Sequence, residues 1–362
     1  MSDRDFVYTS VSQRIRFGTH SVGTLKAEIE HMGCRRALVL CTPEQRPLAQ
    51  ELSKPLEGAA AGIFDQARMH VPVETAHAAQ QLARQLGADC AVAVGGGSTI
   101  GLGKAIALDS GLPILAVPTT YAGSEMTPIF GVTEGGVKRT GRDARVLPRT
   151  VIYDPLLTLT LPLPMSVTSA LNAVAHAAEG LYAADGNPVM SLMAEEGIRC
   201  MARAIPGLCA HAQDLRARED ALQGAWLCGT VLGNVGMALH HKLCHTLGGS
   251  FDLPHASVHT VVLPHALAYN SAAVPGAMHR IARALGVDES EAAAQPLAAA
   301  RAVFDLAQRH GAPTALKDIG MREEDLLRAR ELAMQSQYPN PRPLEGEALD
   351  QLLRNAFDGI RP

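Results

Sequence analysis

The chain has 362 residues, of which 47% are hydrophobic and 4% aromatic, and its formal net charge is -4. This length and apolar fraction predict a folded protein of about two domains and exclude a disordered or collagen-like chain. The near-neutral charge, without a run of lysine or arginine, predicts no nucleic-acid partner and no membrane partner. The cysteines form no C-x-x-C pair and the N-terminus has no apolar core, so we expect mostly buried free thiols and a cytoplasmic location.

In chain order, the first 157 residues alternate apolar strand-like runs with helical patterns, which is typical of a mainly parallel α/β sheet. The clearest helix is predicted at 73–86, where alanine and leucine recur at helical spacing. We expect strands at Arg36–Thr42, Gly62–Ala67, Cys90–Val94, Pro113–Val117 and Thr150–Tyr153.

After Asp154-Pro155 the pattern changes, because no β-branched run of strand length recurs. We therefore predict a dinucleotide-binding α/β domain at 1–157 and an all-helical substrate domain at 158–362. Asn187-Pro188 predicts a helix start, and Gly248-Gly249 predicts a helix end. We expect helices to begin near Ser166, Asn187, Arg216, His259, Gly276, Glu289, Arg322 and Glu345.

A glycine loop joins the strand that ends at Val94 to the helical pattern that begins at Ile100. Its residues are Gly95, Gly96, Gly97 and Ser98. Such a turn at a helix N-terminus exposes backbone N–H groups and the positive end of the helix dipole, which suits a phosphate. The spacing is not the G-x-G-x-x-G of a Rossmann fingerprint, so a purely structural turn stays an alternative.

A second loop, at 118–125, follows the next strand and is rich in hydroxyl groups from Thr119, Thr120 and Ser124. In open α/β sheets, ligands bind at the carboxyl edge where such loops lie. Two loops of this kind favour a dinucleotide site more than either does alone, although a hydrogen-bonded turn remains the alternative reading.

Histidines recur at helical spacing in the second half of the chain. His176 follows Asn172 by four residues, His245 follows His241 by four, and His255 comes soon after. Imidazole suits Zn and Fe, and such pairs supply two ligands from one helix. The position that would naturally carry an anionic Asp holds neutral Asn172, which weakens the attraction for a divalent cation. The alternative is a set of core histidines hydrogen-bonded to backbone; neighbouring His240 and His259 are out of helical phase with the main pairs.

Taken together, these residues resemble the iron-containing alcohol dehydrogenase family along essentially the whole chain. The resemblance implies a dehydroquinate synthase-like two-domain fold, with an N-terminal Rossmann-like parallel sheet, a C-terminal helical domain and the active site in the cleft between them. It is carried by GGGSTIGLGKAIA at 95–107, PTTYAGSEMTPI at 118–129, GVK at 136–138, YDP at 153–155, LNAVAHAAEGLYA at 171–183, HKLCHTLGGSFDLPHA at 241–256 and NPRP at 340–343.

The resemblance also implies a cofactor site. In the family, the segment matching Gly95–Ser98 holds the pyrophosphate, and the threonine loop with Thr119, Thr120 and Ser124 lines the adenosine and ribose side. Lys138 matches a lysine near the nicotinamide ribose. Many NAD-specific members place an Asp where this chain has Thr42, so we expect both NADH and NADPH to be accepted.

The family's metal ligands, an Asp and three His, map onto Asn172, His176, His241 and His255, and His245 matches a further active-site histidine. The substituted Asp position and the TYAGSE segment are similar to the maleylacetate reductase branch, which is regarded as working without bound metal. We therefore expect no metal.

The implied activity is NAD(P)H-dependent reduction of the C=C bond of maleylacetate, a dicarboxylate, to 3-oxoadipate in aromatic compound degradation. We expect His241 and His245 to polarise the carbonyl or relay the proton, with His176, His255 and Asn172 in positioning roles. Cationic or hydroxyl groups for the substrate carboxylates remain open among Lys242, Arg342, Tyr121 and Tyr338.

The N-terminal segment at 6–18 is expected to form exposed strands, at which family members commonly form homodimers. Three alternatives to the implied activity stay open. They are a metal-dependent (Fe or Zn) alcohol dehydrogenase of the same family, a lyase resembling dehydroquinate synthase, and an inactive nucleotide-binding protein.

Overall fold

A computed structural model describes residues 6–10, 12–135, 137–335 and 338–362 of the chain, with the side chains of Val137 and Lys138 outside the described part. The chain divides into two compact units. The sheet unit is Thr9–Leu161, and the helical unit is Pro162–Pro362 together with residues 6–8. Among the described residues, none of the helices has the length and apolar character needed to cross a bilayer.

The sheet unit is built on six parallel strands in the order β1-β8-β5-β4-β2-β3. The inner strands are continuous apolar runs that are buried throughout, as expected for a parallel sheet covered on both faces. An antiparallel hairpin, β6-β7, lies outside this sheet. The strands are β1 Arg14–Phe17, β2 Ala37–Leu40, β3 Ala60–Phe64, β4 Cys90–Gly95, β5 Ile114–Pro118, β6 Ile129–Glu134, β7 Val137–Arg142 and β8 Thr150–Tyr153.

The predicted parallel α/β sheet is confirmed, and the five predicted strands are present, the last with the predicted bounds and the other four with ends shifted by one to three residues. The helix predicted at 73–86 is observed with those bounds. The hairpin β6-β7 was not predicted, since its strands are only partly buried and lack an apolar run. The helices of this unit are α1 Leu25–His31, α2 Arg46–Ser53, α3 Val73–Leu86 and α4 Gly97–Ser110.

The strand order contains a switch point between β2 and β4. From β4 the chain continues through α4 to β5 on one side, whereas β2 is followed by β3 on the other side. At such a point the loops after the two strands diverge and leave a crevice at the carboxyl edge of the sheet, which is where α/β proteins bind ligands. The loops that flank this crevice begin at Cys41 and Gly96.

The helical unit contains no strand among its described residues. Helix α5 is buried along nearly its whole length, which explains its mostly apolar and small residues. Its helices are α5 Leu163–Gly180, α6 Pro188–Ala210, α7 Leu215–Asn234, α8 Leu239–Ser250, α9 His255–Asn270, α10 Pro275–Ala284, α11 Glu289–Ala294, α12 Ala298–Arg309, α13 Leu326–Met334 and α14 Gly346–Asp358.

Two local predictions in this unit can be compared with the structure. Asn187 caps α6, because its side chain accepts a hydrogen bond from the N–H of Met190 at 3.0 Å. The helix end predicted at Gly248-Gly249 is confirmed to within one residue, since α8 ends at Ser250 and the chain turns at Asp252, where φ is +52°.

Candidate active site

The glycine loop after β4 is a cradle that excludes side chains at its base. Gly95 has φ of +153°, and a Cβ there would lie 2.5 Å from both Gln45 Oε1 and Thr99 Oγ1. A Cβ on Gly96 would lie 2.8 Å from Thr120 Cγ2. The two loops therefore touch, and glycine is required at both positions.

The upper side of the cradle is open. A Cβ on Gly97 would meet no atom within 4 Å, and no side chain caps the N-terminus of α4. The first N–H groups of a helix without a cap are available to an anion, which the helix dipole also favours. The hydroxyl of Thr99 is fully buried and has no hydrogen-bond partner in the structure. These features fit the pyrophosphate of a dinucleotide.

The threonine loop is fixed to the cradle by direct bonds. The Thr119 N–H donates to the Gly95 carbonyl at 3.1 Å, and Gln45 Nε2 donates to Thr119 Oγ1 at 2.8 Å. Thr42 follows β2 at the same edge of the sheet. The side chain of Lys138, predicted near the nicotinamide ribose, lies outside the part of the chain that the structure describes.

Lys104 is a further residue of this region that the sequence reasoning missed. It lies on the buried face of α4, and its Nζ reaches Ser124 O at 2.6 Å, Ile129 O at 2.8 Å and Thr127 Oγ1 at 2.9 Å. Burial lowers the pKa of this ammonium group to about 7, against the attraction of buried Glu125. The lysine therefore holds the segment after the threonine loop against α4. In the sequence, a lysine on an otherwise apolar helix face was the signal that could have indicated this buried role.

In the helical unit, a chain of three buried groups connects α5 to α8. Glu179 Oε2 lies 2.7 Å from His241 Nδ1, and His241 Nε2 lies 2.7 Å from His176 Nδ1. The same carboxylate accepts the N–H groups of Ala238 and His240, each at 2.8 Å, and so caps the N-terminus of α8. We call Glu179, His241 and His176 the relay.

The relay fixes the histidine tautomers. The carboxylate of Glu179 only accepts, so His241 Nδ1 carries the proton and, in the neutral ring, Nε2 accepts from His176 Nδ1. His241 thus uses both ring nitrogens on protein groups. Of the two roles expected for it, direct polarisation of a carbonyl does not fit this geometry, whereas proton relay does.

A second histidine pair lies beside the relay and corrects the sequence reading, which left His240 and His259 outside the cluster. His240 Nε2 is 2.9 Å from His259 Nδ1, and the His259 ring centroid is 5.1 Å from that of His241. Burial lowers the pKa of both rings well below the ordinary value, so they are neutral. The His255-to-His259 spacing of four residues on α9 was the missed signal.

The remaining predicted residues lie around this cluster. Asn172 is buried one turn before His176 on α5, and its amide oxygen has no hydrogen-bond partner in the structure. His245 and His255 are exposed, with ring centroids 6.5 Å apart and nearly parallel planes. The His245 centroid is 6.4 Å from that of His241. The structure therefore brings all five predicted catalytic residues into one region of the helical unit.

The donor set that the family would use for a metal does not fit one in this structure. His176 Nδ1 and His241 Nε2 are hydrogen-bonded to each other, so one of the two nitrogens carries a proton. Asn172 adds no negative charge. Among the described residues, two other groups of side chains are compact enough to share a metal ion. They are His240, Cys244 and His259, and Cys34, Asp89 and Cys90.

Three of the groups considered for the substrate carboxylates lie near the start of α8 or in the loop before α14. Lys242 Nζ lies 5.6 Å from the ring centroid of Tyr338, whose pKa burial raises. Arg342 stacks over Tyr269 at 4.3 Å and pairs with Glu345. Tyr121, in the sheet unit, is fully buried.

Comparison with known proteins gives the family. The model described as iron-containing alcohol dehydrogenase matches residues 12–155, and the model of the C-terminal part of the Fe-containing alcohol dehydrogenase family matches residues 166–357. This chain belongs to the iron-containing alcohol dehydrogenase family. The predicted oxidoreductase class and two-domain fold are thereby confirmed.

Individual relatives cover the whole chain. A maleylacetate reductase of Burkholderia cepacia is 60% identical over 99% of both chains. A crystal structure described as an alcohol dehydrogenase from Ralstonia eutropha JMP134 is 63% identical, with a TM-score of 0.96, and covers 99% of this chain and 100% of that one. The crystal structure of maleylacetate reductase from Agrobacterium tumefaciens is 51% identical over 99% of this chain and 100% of that one, with a TM-score of 0.94.

Proposed function

We propose that this protein reduces the C=C bond of maleylacetate with NADH or NADPH, giving 3-oxoadipate, and that it does so without a metal ion. The full-length identity to maleylacetate reductases supports the substrate. The observation that carries the mechanism is the relay, in which nitrogens of two mapped metal ligands are hydrogen-bonded to each other.

The chemistry of the substrate explains why such a site is sufficient. When bound, the reduced nicotinamide supplies a hydride. Because the C=C bond of maleylacetate is conjugated to a ketone, hydride addition at the carbon β to that ketone leaves an enolate. An enolate is much less basic than the alkoxide formed by carbonyl reduction, so hydrogen-bond donors can stabilise it without the Lewis-acidic metal that would assist alkoxide formation.

The histidines then divide two tasks. His245, which is exposed beside the relay, donates a hydrogen bond to the ketone oxygen as negative charge develops there. The relay supplies the proton to the carbon α to the ketone, with His176 as its terminal group. Buried Glu179 orients the His241 ring through the 2.7 Å hydrogen bond at Nδ1, so that Nε2 faces His176.

The cofactor is assigned to the crevice of the sheet unit. The N–H groups at the start of α4 bind the pyrophosphate, and the space beside Gly97 leaves room for it. Thr119, Thr120 and Ser124 line the ribose side. These residues bind and orient the cofactor, and none of them takes part in proton transfer.

Product analysis tests this proposal. Protein, NADH and maleylacetate are incubated, and the product is identified by proton NMR. We expect the vinylic protons to disappear while the ketone is retained. A product that keeps its vinylic protons and has lost its ketone would show carbonyl reduction and would favour an alcohol dehydrogenase; the His245→Ala variant serves as the inactive control.

A further inference from the structure

Two charged side chains lie at the carboxyl edge of the sheet, beyond the cofactor cradle. Arg46 is the first residue of α2, four residues after Thr42, and Asp65 directly follows β3. Arg46 Nη1 and Asp65 Oδ2 form an ion pair between the segments that follow β2 and β3. This pair therefore lies on the β2 side of the switch point, next to the loop that flanks the crevice.

The position of the pair corresponds to the adenosine end of a dinucleotide. If the pyrophosphate lies on α4 after β4, the adenosine ribose extends toward the end of the neighbouring strand β2, as the general geometry of dinucleotide-binding sheets requires. In such sheets, a carboxylate at the end of that strand binds the ribose 2′-hydroxyl, whereas an arginine nearby accommodates a 2′-phosphate. Thr42 at this strand end supplies no carboxylate.

The arginine is available for such a ligand. Its side chain is 55% exposed and that of Asp65 is 24% exposed. An exposed ion pair of this kind is weak, so a doubly charged phosphate can compete for the guanidinium. Arginine also presents parallel N–H donors that match a phosphate group, and Asp65 holds the side chain at the end of β3, the strand next to β2.

We propose that Arg46 is the residue that binds the 2′-phosphate of NADPH and sets the coenzyme range of this enzyme. Exposed Glu44, two residues before Arg46, is the opposing charge at this edge, since its carboxylate repels a phosphate. The inference rests on the proposed cofactor site but not on the identity of the substrate.

Binding measurements with Arg46→Ala test the proposal. Protein fluorescence is titrated with NADH and with NADPH, and bound NADH is displaced with adenosine 2′,5′-bisphosphate and with AMP. We expect Arg46→Ala to bind NADPH and the bisphosphate about tenfold more weakly or worse, with NADH and AMP changed less than about twofold, because only the 2′-phosphate loses a charged partner. Arg46→Lys should lie between the two proteins.

Arg145→Ala is the matched control. Arg145 pairs with Asp143 at exposures of 58% and 27%, close to those of the Arg46 pair, but it precedes β8 and so lies toward the amino edge of the sheet. The Arg145→Ala variant should bind NADH, NADPH, adenosine 2′,5′-bisphosphate and AMP as tightly as the unmodified protein does. Equal losses of NADH and NADPH in Arg46→Ala, or no loss of either, would overturn the proposal. Normal NADPH binding without maleylacetate reduction would instead contradict the proposed function.

Discussion

Replacing Glu179 with alanine should destabilise the helical unit severely. The carboxylate is fully buried, and its three shortest hydrogen bonds, at 2.7 to 2.8 Å, come from the N–H groups of Ala238 and His240 and from the His241 ring. Glu179→Ala leaves these three donors without an acceptor, and water cannot replace it readily because the surroundings are closed.

The expected loss of stability follows from the number of donors that lose their acceptor. Each buried donor that loses its partner costs about 1–3 kcal/mol, so three donors give a loss of about 3–9 kcal/mol in the free energy of unfolding. A typical protein has only about 5–15 kcal/mol in total, so the variant should unfold near room temperature or fail to accumulate.

Guanidinium chloride titration, followed by far-UV circular dichroism, measures the loss. Asp185→Ala is the matched control, since exposed Asp185, between α5 and α6, accepts at 2.8 Å the N–H of Gly236, which lies just before α8. Water can replace that acceptor, so a loss below about 1 kcal/mol is expected. If Glu179→Ala cost no more than the control, the view of Glu179 as the buried anchor of the relay would be refuted.

Three further outcomes are expected. His245→Ala should lose about a hundredfold or more in turnover, the usual contribution of a hydrogen-bond donor to a developing oxyanion, while NADH titration shows unchanged binding; near-normal turnover would contradict its role. Gly97→Ala should fold normally but weaken NADH binding, because its Cβ fills the open side of the cradle, whereas Gly23→Ala, equally open, should not. Burial lowers the pKa of His265 to about 4, so the folded protein binds fewer protons than the unfolded chain between pH 6.5 and 4. The free energy of unfolding should therefore decrease as the pH is lowered through that window, by about 1.4 kcal/mol per pH unit. His265→Phe should show a shallower dependence in chemical denaturation at several pH values; an unchanged slope would contradict this.

The elements that could be predicted from the sequence are those marked by a local residue pattern. Buried parallel strands such as β4 are continuous apolar runs, and the glycine loop directly follows one of them, so both could be located by pattern. The spacing of Asn172 and His176 likewise placed both on one helix face. The hairpin β6-β7 could not be found in this way, since partly buried strands with mixed residues carry no clear alternation.

Contacts between distant segments were not readable from one sequence. Glu179 lies one turn after His176, but its role depends on the start of α8, about sixty residues later. The pairing of His240 with His259 depends on how α8 packs against α9, and helical phase within α8 alone placed His240 away from the cluster. Lys104 stood out as a lysine in an apolar helical pattern, but its role depends on acceptors in the segment after β5, which one sequence does not show.

The central claim is that maleylacetate reduction here requires the relay and no metal ion. The most direct test measures NADH oxidation with maleylacetate after treatment with a strong chelator, with residual metal determined by mass spectrometry, alongside Fe- and Zn-loaded samples. We expect the stripped protein to retain full activity, and added Fe or Zn to leave it unchanged or lower it. Activity that appears only after metal addition would contradict the mechanism, and absence of activity in every sample would contradict the substrate.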